Sequence, residues 1–93
     1  MSDKPTKTCK FIFPDLGKFV VMDVQKKIVL EDMKISFAKI LSLNLFAKKL
    51  SYYFETTPLD HTRTLDYILT MREIAESRDP QLQITIKIEE MGA

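Results

Sequence analysis

The chain is short of the residues that carry chemistry. It holds one cysteine, Cys9, and one histidine, His61, with 51 residues between them. A lone cysteine permits no internal disulfide, thiolate metal set or redox pair, and it suits the reducing cytosol. We therefore expect a cytoplasmic protein with no metal and no cofactor. No run of eighteen apolar residues occurs, and no apolar segment follows the basic residues of Met1 to Lys7, so neither a membrane span nor a secretion signal is read. Ser36, Ser42, Ser51 and Ser77 lie outside any Gly-x-Ser-x-Gly elbow, which leaves a hydroxyl nucleophile without supporting geometry. His61, beside Asp60 and Arg63, has the residue type of a general base but sits in a polar loop, where a solvated histidine is the simpler expectation. Asp60, Asp66, Glu73, Glu76 and Asp79 read as a solvated acidic surface, since paired catalytic carboxylates need a cleft.

What is present suits one small globule. Ninety-three residues with 45% apolar and 29% charged side chains support a single core and too little surface burial for two. The net charge of +1 hides an asymmetry. Residues 1 to 49 carry ten lysines against five acids, a net of +5, and residues 50 to 93 carry four basic against eight acidic residues, a net of −4. With the mean near zero, nucleic acid is not the expected partner.

Hydrophobic periodicity places the elements. Residues 1 to 7 are polar and contain Pro5, which predicts a disordered leader before a domain spanning 8 to 90 and a tail over 91 to 93. Cys9, Phe11 and Phe13 alternate with Lys10 and Ile12, as in a strand with one face buried, so Cys9 is expected to be an inert, enclosed thiol. Pro14-Asp15-Leu16-Gly17 supplies a hairpin turn, and the return strand sets Val20, Met22 and Val24 on one face with Phe19, Val21 and Asp23 on the other. Leu30, Met33, Phe37, Ile40 and Leu41 then recur at helical spacing, predicting a helix over 30 to 43 with Ile35 roughly 140° off the stripe. Leu50 to Phe54 reads as a short strand, Thr57 to Thr64 as a loop, and Ile68, Met71 and Ile74 as helical turns. Leu82, Ile84, Ile86 and Ile88 alternate with polar residues in the clearest strand of the chain.

This order predicts an α+β fold with one main helix across one face of a mixed sheet, a short second helical turn, and the last strand placed centrally between the first and third. That is the β-grasp arrangement. The stretch from Leu30 to Leu43, followed by Leu50-Ser51-Tyr52, resembles the ubiquitin-like superfamily, and within it the ubiquitin-like domains of the tubulin-folding cofactors, the tubulin-specific chaperones of types E and B. The likeness spans roughly residues 8 to 88. Two departures stand out: Arg78-Asp79-Pro80 replaces the glycine-acid turn common before the last strand, and the glycine-rich and leucine-rich domains of such cofactors have no room here.

The resemblance implies a non-catalytic protein-interaction domain that handles tubulin or meets another folding cofactor. The Glu89-Glu90-Met91-Gly92-Ala93 ending lacks the Gly-Gly of a conjugated modifier, so no conjugation is expected. Strand parity exposes Ile12, Phe19 and Val21 together, with Tyr53 on the same side, and these four are the candidate protein-binding residues. The remaining outward residues, Ser51, Gln83, Thr85 and Lys87, are polar. As an alternative, a scaffold domain could associate through complementary charge, Lys10, Lys18, Lys26 and Lys27 facing Glu73, Glu76 and Asp79. No membrane partner is expected, and the isolated domain is expected to be a monomer.

Overall fold

A computed structural model describes residues 5 to 90. The expected tail over 91 to 93 and the first four residues of the expected leader lie outside this range. Thr6 and Lys7, placed in the leader by sequence, instead open the first strand, because Thr6 pairs with Gln25 and Lys7 with Val24.

The chain runs β1 (Thr6–Phe13), β2 (Lys18–Gln25), α1 (Met33–Leu41), β3 (Lys48–Phe54), β4 (Thr57–Pro58), α2 (Leu65–Leu69), α3 (Arg72–Ala75) and β5 (Leu82–Glu90). The strands form one sheet in the order β2-β1-β5-β3-β4. β5 is central as expected, parallel to β1 and antiparallel to β3. The β1–β2 hairpin closes through a 3₁₀ turn, Pro14–Leu16, and Gly17 ends it at φ 63° with its N–H on the Pro14 carbonyl. Its Cβ would meet nothing, so the positive φ alone favours glycine here.

Alternation makes two different faces. Cys9, Phe11, Phe13, Val24, Leu50, Tyr52, Phe54, Leu82, Ile84 and Ile86 are buried on the inner face. Phe37 of α1 stands edge-on to Phe11 and Phe13, with ring centroids 4.9 and 5.2 Å apart. In the sheet Phe11 is in register with Ile84, and both are fully buried. Two polar side chains tie the layers together. Tyr52 donates its hydroxyl to the Leu30 carbonyl at 3.1 Å, and burial, with Glu31 and Asp32 nearby, pushes its pKa up. Asp15, in the hairpin turn, accepts the Ile88 amide at 2.9 Å and so anchors the far end of β5.

The helix is shorter than its periodicity predicts. Its first turn, Leu30–Asp32, is 3₁₀, and Ser42 stops it in the left-handed region at φ 56°. Only Met33 and Phe37 of α1 are fully buried. Ile40, expected on the buried stripe, is 49% exposed because it falls in the last turn, just before the chain breaks away at Ser42. Ile35 is exposed as expected. Beyond the break, Leu45 turns into the core and Phe46 turns out, with the Phe46 amide held by Asn44 Oδ1 at 3.1 Å.

The stretch expected as a loop over 57 to 64 contains β4, which pairs with Tyr53 and Phe54 after a reversal at Glu55, whose φ is 57°. Leu59 is buried there and donates its amide to the Tyr52 carbonyl. The every-third-residue segment folds as α2 and α3, which bury Ile68 and Ile74. Thr64 Oγ1 caps α2 by accepting the Tyr67 amide at 3.1 Å. Among the described residues no helix is long and apolar enough to cross a membrane.

Two outcomes test this packing. Phe37→Ala removes the ring that Phe11 and Phe13 enclose and should cost about 3 to 5 kcal/mol, read from urea unfolding; a midpoint close to that of the parent chain would contradict the helix register. The second concerns Cys9, which is fully buried and whose thiol is pushed up to about 12, chiefly by that burial. It should stay unlabelled by thiol reagents until the chain unfolds. Because the unfolded thiol ionises first, its contribution to stability is intact below about pH 8.5 and is lost as pH rises towards the folded value. Stability should therefore fall more steeply on the alkaline side for the parent chain than for Cys9→Ala.

Candidate protein-binding face

The outer face of the sheet is an ordered grid because the strand registers are fixed. Phe19 pairs with Ile12, Ile12 with Thr85, and Thr85 with Tyr53. These four side chains form one row across β2, β1, β5 and β3. Val21 and Lys10 pair in the neighbouring row, with Gln83 beyond them. All four residues singled out from the sequence, Ile12, Phe19, Val21 and Tyr53, thus lie on one face, three of them in a single row. Phe19 is 60% and Val21 45% exposed, whereas Ile12 and Tyr53 are half-buried. The apolar surface is concentrated at the β2 end.

Two cations complete the face, and strand parity alone did not assign them a role. Lys10 Nζ lies 4.5 Å from the centre of the Phe19 ring, and Lys87 Nζ lies 5.3 Å from that of Tyr53. Neither lysine is in an ion pair among the described residues. Neither outer acid, Asp23 or Glu89, is in an ion pair among the described residues. Asp23 accepts the Thr8 hydroxyl at 2.6 Å, and Glu89 stands opposite Lys49 in the β3–β5 register. At both ends of the row, therefore, an aromatic ring carries a positive charge with no carboxylate on it.

His61 lies elsewhere. Its Nδ1 is 3.0 Å from Glu31 Oε2, so its partner comes from the turn before α1 and not from the neighbouring Asp60. The pair borders an open cleft of about 350 Å³ lined by Asp32, Lys34, Lys48, Leu50 and Tyr52 among others. Lys34 is held there by the Lys48 carbonyl, and Lys48 pairs with Glu90. Asp60 closes its own turn, accepting the Thr62 hydroxyl at 2.5 Å and the Thr62 amide at 2.9 Å, and these bonds hold its carboxyl below the usual range. Tyr52, also on the lining, spends its hydroxyl on the Leu30 carbonyl. Among the described residues no three His, Cys, Asp or Glu side chains converge as a metal set would.

No family model matches the chain, and no curated protein is similar to it in sequence. Solved structures do match. One is the solution structure of a protein designed computationally on the template of human erythrocytic ubiquitin, with a TM-score of 0.61 and 21% identity over 94% of this chain and 96% of that one. Another is the ubiquitin-like domain of yeast Ddi1, with a TM-score of 0.57 and 11% identity over 100% of this chain and 98% of that one. The fold is the ubiquitin-like β-grasp. At these identities the likeness concerns the path of the backbone. The side chains on the outer face of this β-grasp must therefore be read for themselves.

Proposed function

We propose that this ubiquitin-like domain is a non-catalytic protein-interaction module that receives its partner on the outer sheet face. The observation that carries the proposal is the registered row of Phe19, Ile12, Thr85 and Tyr53, with Val21 beside it and Lys10 and Lys87 over its two aromatic rings. Exposed aromatic and branched side chains supply anchors that a partner can desolvate. The two cations specify that partner further, as a protein surface whose apolar side chains are flanked by carboxylates.

The finer reading, a tubulin-folding cofactor domain that meets tubulin or another cofactor, is supported by the Leu30 to Leu43 stretch and by Leu50-Ser51-Tyr52. Of those residues Leu30, Met33, Phe37, Leu50 and Tyr52 are core. The resemblance therefore resides mainly in how the helix packs on the sheet, and binding to tubulin is the experiment that adds to it. Association through complementary charge has less to draw on, since Lys10 rides on Phe19 and Glu76 is paired with Arg72 at 3.3 Å.

A capture experiment from cytosol, with purified αβ-tubulin as a defined second bait, separates these readings. Phe19→Ser should weaken capture by more than about 1 kcal/mol while changing stability by less than about 0.5 kcal/mol, since its ring is mostly in solvent. Lys26→Glu with Lys27→Glu should leave capture in place at low and high salt. The opposite pattern, loss with the lysine variants and with salt but not with Phe19→Ser, would establish charge pairing instead.

A further inference from the structure

The sheet has two edges, and they are unlike. β4 is two residues long and ends in Pro58, and on the part of β3 that it leaves uncovered the Lys48 carbonyl is taken by Lys34 Nζ, the Lys48 amide by the Leu45 carbonyl and the Tyr52 carbonyl by the Leu59 amide, so that edge is blunted. β2 is eight residues long, contains no proline, and borders no other strand on its outer side among the described residues. The parity of its hydrogen bonds follows from one contact. Lys26 donates its amide to the Pro5 carbonyl at 2.9 Å, which makes that pair hydrogen-bonded. Every second pair before it is then hydrogen-bonded as well: Val24 with Lys7, Met22 with Cys9, Val20 with Phe11 and Lys18 with Phe13. Phe19, Val21 and Asp23 therefore turn their N–H and C=O groups to the open edge. The Gln25 carbonyl is already taken by the Ile28 amide at 3.1 Å, which ends the free ladder.

We propose that this edge pairs with the β2 edge of a second copy of the chain, antiparallel about a two-fold axis at Val21, so that two five-stranded sheets become one. Three residues with free donors and acceptors fit one self-pairing register fully: Val21 opposite Val21, Phe19 opposite Asp23 and Asp23 opposite Phe19. A shift in one direction sets Asp23 against Gly17, outside the strand. A shift in the other sets Lys18 against Lys26, like charge against like. In the centred register Val20 meets Met22 on the inner face, twice by symmetry, and both are half-buried side chains that gain cover. On the outer face Asp23 of one copy comes beside Phe19 of the other, whose ring holds Lys10 Nζ at 4.5 Å. Asp23 Oδ1 is fixed by Thr8, leaving Oδ2 for that cation. Opposite charges thus meet across the edge twice, and this match to itself is what selects a second copy over an unrelated strand. The pairing replaces the monomer expected from sequence, shares Lys10 and Phe19 with the proposed binding row, and sets two apolar patches side by side.

Amide hydrogen exchange by NMR, with sedimentation velocity, tests it at two protein concentrations about a hundredfold apart. Val20, Met22 and Val24 should be protected at both. Phe19, Val21 and Asp23 should exchange fast when dilute and become protected as the mass rises to that of two copies. Val21→Pro removes only an outward N–H, which an edge strand tolerates, and should give a folded monomer. Lys10→Asp or Asp23→Lys alone should weaken the dimer, and the two together should restore it. A single-copy mass at both concentrations with fast exchange at Phe19, Val21 and Asp23 would overturn the proposal. So would a dimer unaffected by Val21→Pro and by both charge variants.

Discussion

β5 is the strand that both halves of the sheet share. The β1–β2 hairpin and the β3–β4 pair do not touch as neighbours in the sheet; each is joined to β5, the first in parallel and the second antiparallel. A two-stranded hairpin is marginal by itself, and parallel pairing can form only after a long crossover has been closed. In this chain the crossover contains α1, whose Phe37 sits on Phe11 and Phe13 of β1. Leu82, Ile84 and Ile86 then supply the apolar floor between the halves. The polar ties to β1 and β2 agree with this role. Asp15 holds the Ile88 amide, and Lys7 Nζ reaches the Pro80 carbonyl at 3.3 Å, so the hairpin grips β5 near both ends.

Fixing β5 also fixes what the domain shows to the outside. Side chains alternate with period two, so burying Ile84 and Ile86 obliges Gln83, Thr85 and Lys87 to face outward. Register with β1 and β3 then aligns Thr85 between Ile12 and Tyr53 and carries the row to Phe19. A slip of one residue would exchange the two faces and bury Lys87. The outer face and the core are therefore two consequences of one pairing, and the lysines over the aromatic rings sit where that pairing puts them.

Much of this was legible from the sequence because strand parity is a local property. Cys9, Phe11 and Phe13 announce the buried face of β1, and Leu82, Ile84 and Ile86 announce that of β5, with no knowledge of partners. For the same reason the four candidate binding residues could be placed on one side. Other features depended on how elements meet and stayed hidden. Ile40 has the right spacing for the buried stripe, but the helix turns away at Ser42 and leaves it half in water. Leu45 and Phe46 are adjacent apolar residues, and only the Asn44 turn decides which goes in. β4 is two residues held by a reversal at Glu55, a non-glycine residue at positive φ that carries no turn signature. The placement of Lys10 over Phe19 and of Lys87 over Tyr53 needed the cross-strand geometry.

The central claim is that recognition takes place on the outer face of the sheet, and mapping the contact on the labelled domain tests it most directly. With a captured and purified partner added to the isotopically labelled chain, the account predicts that the largest NMR shift changes fall on Ile12, Phe19, Val21, Tyr53 and Thr85, with Lys10 and Lys87 at their margin. Changes confined to the other side of the molecule, at Ile35, Ile40 and Phe46 around α1, would contradict it.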